Sequence, residues 1–275
     1  MVAMNKIPIS VLVVTKNEER VIERCLKALQ DFDEVIVVDS SSDDNTVQIS
    51  KNNGAKPVLF QWNGQYPKKR QWCLQQLEIR HSWVFWVDAD EVVMPDLIAE
   101  IRHVFSSPPT QAGFFVKGNY VWREGVLKHG MKNNKLALFN RLKMEFPVVD
   151  DLDIDGMGEV EGHYQPVFKA GCKGEKIGQL QAPLLHYAYE DEAAWHVRHE
   201  RYAVWEAQMT RRKSFPKDPI VWREFLKTYI RTSIFRPYIM FLYSYVFKLG
   251  FLDGRNGFDF ALSRKTYCDL IRKHL

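Results

Sequence analysis

Over the first hundred positions, apolar residues come in short unbroken runs separated by stretches with helical spacing. Ile9-Ser10-Val11-Leu12-Val13-Val14 and Glu34-Val35-Ile36-Val37-Val38 are nearly continuous and rich in β-branched residues. That is the pattern of strands covered on both faces of a parallel sheet. Pro57-Val58-Leu59-Phe60 and Trp83-Val84-Phe85-Trp86-Val87 predict a third and a fourth strand. Between the runs, Asn17-Glu18-Glu19 opens a helix with Val21, Ile22, Cys25, Leu26 and Leu29 on one face. A second helix is predicted over 46–53, stopped at Gly54, and a third over 67–77. Regular alternation of strand and helix argues for an α/β fold with helices on both faces of the sheet.

After Pro108-Pro109 the pattern changes. Residues 113–122 and 135–142 alternate as edge or antiparallel strands do. Residues 149–162 form an acidic, glycine-containing loop, and 191–229 reads as amphipathic helix. Residues 234–252 are almost long enough to span a bilayer, but Arg236, Pro237 and Lys248 interrupt them. The expected structure is a helix lying in a membrane interface with its aromatics at headgroup depth. A helix buried against the main domain fits the same pattern, and a true span fits it least.

Composition sharpens this picture in three places. Aromatic residues make up 13% of the 275 positions and gather in the second half, as does a basic stretch over 198–236 centred on Arg211-Arg212-Lys213. Such a face can lie on an anionic membrane surface or be solvated. The net charge of +4 is too small to argue for a nucleic-acid partner. The 4 cysteines, at 25, 73, 172 and 268, form no Cys-x-x-Cys. Reduced thiols in a cytoplasmic protein are therefore expected, not a disulfide framework or a zinc site. The apolar run over 7–14 is short and leads into polar residues with no small-residue cleavage site, so no signal peptide is expected.

The candidate chemistry lies where the strands run out. Asp88-Ala89-Asp90 follows the fourth strand. Two carboxylates there suit Mg²⁺ or Mn²⁺ shared with substrate phosphates, although the same spelling fits a solvated loop. Ligands of open α/β sheets bind at the carboxyl ends of strands. Asp39 ends the second strand, where it can accept from a base N–H or from ribose hydroxyls. Asp43 is placed to cap the next helix. Thr15, Asn17 and Glu18 follow the first strand and can face the same cleft. Lys68-Lys69-Arg70 open the third helix, where cations oppose the helix dipole, so the cluster points to anion binding. His186, after an apolar run, can be a further metal or phosphate ligand. Trp62, Tyr120 and Trp122 can stack on sugar rings or belong to a core, and neither role is assigned.

The chain resembles family 2 glycosyltransferases, the inverting enzymes with a nucleotide-sugar-binding GT-A fold. The resemblance rests on Val14-Thr15-Lys16-Asn17-Glu18-Glu19, on 37–46 around Val38-Asp39-Ser40, on Lys68-Lys69-Arg70-Gln71, and on Trp86-Val87-Asp88-Ala89-Asp90-Glu91. These motifs stand in the family's order and cover 7–105. Leu185-His186-Tyr187, Arg201-Tyr202-Ala203, Arg236-Pro237 and 250–257 are similar to one branch, the lipopolysaccharide inner-core β-1,4-glucosyltransferases. The resemblance implies a GT-A, Rossmann-like mixed sheet flanked by helices over 1–190, with a nucleotide-binding half at 7–105 and an acceptor half at 110–190. A C-terminal, membrane-associating helical region would follow at 191–275.

The resemblance also implies roles. Asp39 would bind the base, alongside Thr15, Asn17 and Glu18. Lys69 and Arg70 would meet the diphosphate. Asp88 would hold the ribose or the metal, Ala89 would belong to the donor-binding set, and Asp90, with Asp88 and His186, would ligate Mg²⁺ or Mn²⁺. Inversion needs a carboxylate base. The branch shows Val-His-Glu near the point where this chain reads Gly158-Glu159-Val160-Glu161-Gly162-His163-Tyr164. Glu161 is the first choice and Glu159 the second, with Asp150 and Asp151 open and His163 as an orienting group. The implied reaction moves a hexose, glucose in this branch, from a UDP-sugar to a lipopolysaccharide-core, polysaccharide or lipid-linked glycan acceptor. It would take place on the cytoplasmic face of the inner membrane. Two alternatives use the same residues. Asp88-Ala89-Asp90-Glu91-Val92 fits the motif of haloacid dehalogenase-type phosphatases, although three strand–helix units precede it here. A non-catalytic, membrane-associated scaffold of the same fold is the other.

Overall fold

The central strand β1 (Ile7–Thr15) is buried almost throughout, because its Ile, Val and Leu side chains are covered on both faces of the sheet. The computed structural model describes residues 5–154, 157–159, 164–189, 191–216 and 221–275 of the chain. After β1 come α1 (Ile22–Lys27), β2 (Phe32–Asp39), α2 (Thr46–Asn52), β3 (Lys56–Leu59), α3 (Lys69–Gln76) and β4 (Trp83–Asp88). The next elements are β5 (Glu91–Val92), α4 (Pro95–Val104), β6 (Gly113–Trp122), β7 (Gly125–Val126) and β8 (Asn133–Asn140). Then follow β9 (Met144–Glu145), β10 (Val167–Phe168), β11 (Ile177–Gln179) and β12 (Leu184–His186).

The main sheet runs β3-β2-β1-β4-β8-β6-β12-β5. β3, β2, β1 and β4 are mutually parallel, whereas β8 joins β4 antiparallel and β12 joins β5 antiparallel. This is the mixed α/β sheet expected from the two textures of the sequence. Its register sets the site. Thr15 lies opposite Asp39 on β2, and Val14 lies opposite Asp88 on β4. Both acidic motifs therefore emerge at one end of the parallel half.

The chain groups into two compact units. The first comprises Met1–Gly118, Asn134–Phe146 and Pro166–His186, and the second Asn119–Asn133, Pro147–Gln165 and Tyr187–Leu275. Residues 119–133 and 147–165 thus group with the C-terminal helices. The first unit is built on buried residues such as Ile9, Val11, Val37, Phe85, Leu97 and Leu138. In the second, Trp122, Leu127, Trp195 and Phe260 make a separate aromatic core. Trp122 is 5% exposed and stacks 4.5 Å from Tyr189, which assigns it to that core.

The second unit carries α5 (Glu192–Arg212), α6 (Val221–Thr232), α7 (Arg236–Leu242) and α8 (Gly254–His274). The continuous helix expected over 234–252 does not form. α7 gives way to a π-helical turn, Tyr243–Phe247, and a 3-10 turn, Gly250–Asp253. The cause is local. Pro237 is fixed in the first turn of α7. Leu249 is left-handed at φ 59°, and the chain then packs back on itself. A Cβ on Gly257 would stand 1.9 Å from the Gly250 carbonyl oxygen, so only glycine allows that approach. No described helix is long and apolar enough to cross a membrane.

The first helix also starts later than its polar opening implies. Asn17 is left-handed, at φ 58°, and residues 17–19 lace the β1–α1 turn to the β2–α2 turn instead. The Asn17 amide donates to Ser42 Oγ (2.8 Å), the Asp43 amide to Asn17 Oδ1 (2.9 Å), and the Glu18 amide to Thr46 Oγ1 (2.8 Å). Asp44, not Asp43, holds the start of α2. Its Oδ1 accepts from the Thr46 amide (2.9 Å) and hydroxyl (2.5 Å), and its Oδ2 from the Glu19 amide (3.1 Å).

Burial works to raise the Asp44 pKa, but the hydrogen bonds from Thr46 and Glu19 outweigh it and leave the group below the usual carboxylate value. A depressed folded pKa stabilises above the unfolded value and loses that effect as pH falls through the folded one. Asp44→Ala should therefore cost about 1 kcal/mol at neutral pH. The difference from wild type should shrink below roughly pH 4. Urea melts across pH 3 to 7 read this directly, and a difference that grows on acidification contradicts it.

Candidate active site

Asp39 anchors one end of the site. It is 2% exposed at the end of β2. Its Oδ1 accepts from Thr15 Oγ1 (3.0 Å) and Ser42 Oγ (2.5 Å), and its Oδ2 from the Ser42 amide (2.8 Å). A carboxylate has about four acceptor positions, and Thr15 and Ser42 meet three of them among the described residues. Ser41, at φ 57°, turns the chain so that Ser42 can reach back. Thr15, Asn17, Glu18 and Asp39 are thus brought together. The contacts described above for Asn17 and Glu18 are with the neighbouring turn.

The other end is a cluster of three carboxylates and three basic side chains around the exit of β4. Glu91, on β5, is fully buried. Its Oε2 accepts from the Asp88 amide (3.0 Å) and from Lys135 Nζ (2.7 Å), while its Oε1 has no hydrogen-bond partner among the described residues. Lys135, on β8, also donates to Asp88 Oδ2 (2.6 Å), and Arg70 Nη2 donates to Asp88 Oδ1 (3.2 Å). His186, on β12, stands with Nε2 3.4 Å from Asp90 Oδ2 and Nδ1 4.0 Å from Glu91 Oε1. Ala89, between the two aspartates, is 4% exposed.

The electrostatics follow from this geometry. Burial pushes the Asp88 pKa up, but Lys135 and Arg70 outweigh it and hold the carboxylate ionised, far below the usual range. Burial likewise opposes ionisation of Asp90, and the His186 imidazolium beside it wins. Glu91 is the exception: burial dominates and its pKa is raised despite Lys135. Burial lowers the Lys135 pKa, but Asp88 and Glu91 drive it well above the ordinary value. His186 is raised in the same way, Asp90 outweighing burial.

This donor set fits a hard divalent cation. Two cis ligands on Mg²⁺ or Mn²⁺ lie about 3 Å apart, close to the Asp90–His186 separation. Asp88 presents its oxygens to cations. No group of three or more His, Cys, Asp and Glu among the described residues has the geometry to hold a metal alone. Mg²⁺ is commonly held by one or two carboxylates, with substrate phosphates and water completing the shell. Asp90 can serve as it stands, and His186 once its imidazolium has given up its proton.

The basic triad is split in use. Lys68 and Lys69 are 1% and 8% exposed, with their ammonium groups 5.7 Å from the Tyr66 ring and 5.9 Å from the Phe60 ring, while Arg70 reaches Asp88. Glu159 is half-buried in a turn of the second unit. Glu161 and His163 lie outside the described residues. Two members of the acidic cluster escape sequence reasoning. Lys135 is a single cation at the head of an apolar strand, and Glu91 directly follows the acidic pair. A lone charge entering the run Leu136-Ala137-Leu138-Phe139 is the one signal that marks Lys135.

Comparison with known proteins gives a consistent picture. The model described as Glycosyl transferase family 2 matches residues 10–157. An uncharacterized glycosyltransferase of Rickettsia bellii is 39% identical over 100 residues, 36% of this chain and 33% of that protein. The lipopolysaccharide core biosynthesis glycosyltransferase LpsC of Rhizobium meliloti is 30% identical over 106 residues, 34% of this chain and 38% of that protein. The chain thus spans about a third of the length of these curated relatives. Among solved structures, the mannosyltransferase PcManGT from Pyrobaculum calidifontis, in complex with GDP-Man and Mn²⁺, aligns with a TM-score of 0.54. It is 14% identical, and the alignment covers 98% of this chain and 87% of that one. At that identity the likeness is one of fold, the GT-A arrangement.

Removing one partner from a buried charge cluster is costly, because it strands the others. Lys135→Met should lower the unfolding free energy by about 3–5 kcal/mol. Adding Glu91→Gln should recover part of the loss, which a double-mutant cycle in urea measures. A single-variant cost under about 1 kcal/mol would show that the cluster is not held this way.

Proposed function

Because the chain belongs to glycosyl transferase family 2, whose model matches residues 10–157 of its 275, we propose that it is an inverting, divalent-metal-dependent hexosyltransferase using a nucleotide-diphospho-sugar. The observation that carries the reading is the pairing of a tied-down Asp39 with the Asp88–Asp90–His186 cluster at the carboxyl ends of β2 and β4. A base-binding carboxylate and a cation seat, at one end of a parallel sheet, are what a nucleotide diphosphate requires. Membership of this family leaves no place for the phosphatase reading of Asp88 and Asp90.

In the proposed reaction the acceptor hydroxyl attacks the anomeric carbon from the face opposite the leaving group. Its proton passes to a carboxylate base, for which Glu161 is the first candidate and Glu159 the second. The bond from the anomeric carbon to the diphosphate breaks, and its electron pair leaves with the nucleoside diphosphate. A bound Mg²⁺ or Mn²⁺ would neutralise charge on that leaving group. Asp90 and His186 would hold the cation, and Lys69 lies at the start of α3 on the side of the diphosphate. Arg70 fixes the Asp88 carboxylate beside the ribose. Asp39 accepts from the base.

The donor is read as a UDP-hexose, with glucose as the sugar, and the acceptor as a lipopolysaccharide-core, polysaccharide or lipid-linked glycan. The similarity to LpsC supports the acceptor class. A glycolipid acceptor calls for work at the cytoplasmic face of the inner membrane, with the C-terminal region against the lipid surface. The exposed aromatic side chains of residues 225–252 and the four free cysteines, three of them buried, fit that placement.

Calorimetric titration of UDP and GDP, each with Mn²⁺ and with chelator, tests the donor half. The expected result is Mn²⁺-dependent UDP binding that Asp90→Ala weakens at least about tenfold. Equal affinity with chelator, or in Asp90→Ala, overturns the metal role. Binding without sugar transfer to any envelope glycan returns the chain to the scaffold alternative.

A further inference from the structure

The second unit contains a cavity of about 290 Å³ between the end of α6, the start of α7 and the last turns of α8. Arg231, Arg236 and Arg272 line it, together with Thr232, Ser233 and Cys268. No Asp or Glu is among the described lining residues, and Arg231 stands 3.9 Å from Glu224 on its own helix. The carbonyl oxygen of Leu275, at the edge of the cavity, accepts from Arg211 Nη2 at 2.8 Å.

Arg236 is the decisive member. Its side chain is 13% exposed, and its Nη2 is bonded to Glu206, whose other oxygen accepts from the Tyr267 hydroxyl at 2.8 Å. Its Nε and Nη1 are buried and have no hydrogen-bond partner among the described residues. Buried guanidinium donors are rarely left unmet, because their hydration has been given up for nothing. Arg272 meets Asp269 at 3.7 Å, beyond hydrogen-bond distance, and remains 56% exposed. A cavity walled by three arginines, one with orphaned donors, is built for a multivalent oxyanion.

The exposed side chains of the segment that carries the cavity say which oxyanion. Ile234 and Phe235, in the segment that walls the cavity, are 67% and 63% exposed. Tyr229 on α6, Tyr238 and Leu242 on α7, and Phe247 in the turn beyond are 66%, 56%, 49% and 75% exposed. A soluble phosphate needs no exposed apolar side chains on the same segment. An amphiphile with an anionic head and hydrocarbon chains needs both features side by side.

We propose that the Arg231–Arg236–Arg272 cavity seats the phosphate of an anionic membrane lipid while the apolar side chains of the same segment enter the surrounding interface. This rests on the membrane-surface reading above and adds a headgroup site to it. The arginines supply charge-assisted hydrogen bonds to phosphate oxygens. The aromatic and aliphatic side chains supply the burial that holds the protein at headgroup depth.

The test is co-sedimentation of the full chain with phosphatidylcholine vesicles, with and without phosphatidylglycerol. Four proteins are compared: wild type, Arg231→Gln/Arg272→Gln, Phe235→Ser/Phe247→Ser, and the charge-matched control Arg255→Gln/Lys273→Gln. Arg236 is left in place so that Glu206 keeps its partner. Wild type should bind the anionic vesicles roughly tenfold or more tighter than the neutral ones. The arginine pair should abolish that preference while leaving neutral-vesicle binding unchanged, and the phenylalanine pair should lose binding to both. The control should keep the preference. An equal loss in the control, or an unchanged preference in the arginine variant, overturns the headgroup site but not the membrane reading. Wild type that sediments with neither vesicle overturns both. Inorganic phosphate that raises the melting temperature of wild type, without any preference for anionic vesicles, assigns the cavity to a free anion and overturns the lipid.

Discussion

Three carboxylates crowd the exit of one buried strand, and the site depends on how their charge is met. Asp88, Asp90 and Glu91 lie within four residues, with Glu91 fully buried. Unpaired, they would repel one another and take up protons. Lys135 answers two of them at 2.6 and 2.7 Å, Arg70 shares Asp88, and His186 faces Asp90. The cations come from two other strands and a helix, so the cluster also ties β4, β5, β8, β12 and α3 together. Breaking it removes a clamp on five elements at once.

The mixed sheet makes that neutralisation possible. In its parallel half, strand ends gather at one edge and bring Asp39 and Asp88 to the same level as the end of β1. In its antiparallel part, strands run back past the same edge and deliver side chains of opposite sign. The β4–β8 pairing runs from Trp83 opposite Asn140 to Phe85 opposite Leu138. Carried three residues further along each strand, it sets Asp88 across from Lys135. The β5–β12 pairing sets Glu91 across from His186. Asp88 comes from the parallel half and Glu91 from the far edge strand, while Lys135 and His186 come from the returning strands and Arg70 from a helix.

That division also explains what could be read in the sequence. The strands β1, β2 and β4, the helices between them and the motifs at Asp39 and Asp88 were legible because each is a local pattern closed within a few residues. Lys135 and Glu91 were not, since their importance lies in a register joining residues 44 and 47 apart in the chain. His186 stood out in the sequence, whereas its neighbour Glu91 did not. The same limit applied to residues 234–252. Their apolar content predicts a helix, but the left-handed Leu249 and the approach of Gly257 to Gly250 are set by packing that hydropathy does not encode. At α2 the miss was smaller. Asp43 and Asp44 have equal capping chemistry, and only the path of the turn chooses Asp44.

The aromatic richness of the second half resolves into two physically different uses. Trp122, Trp195 and Phe260 are buried against one another, with Tyr120, Tyr189 and Tyr267 packed around them. Phe225, Tyr229, Phe235, Tyr238 and Phe247 are more than half exposed on consecutive short elements of the same unit. Helices as short as α7 draw little stability from their own hydrogen bonds and depend on what their side chains bury. Here those side chains face outward, beside a cavity walled by arginines. A single exposed phenylalanine needs no explanation, but a run of them in the unit that holds the buried, unmet donors of Arg236 does. Burial of aromatic rings against one another and their exposure on short helices are thus separate consequences of one composition, and only the second leaves apolar surface for a partner.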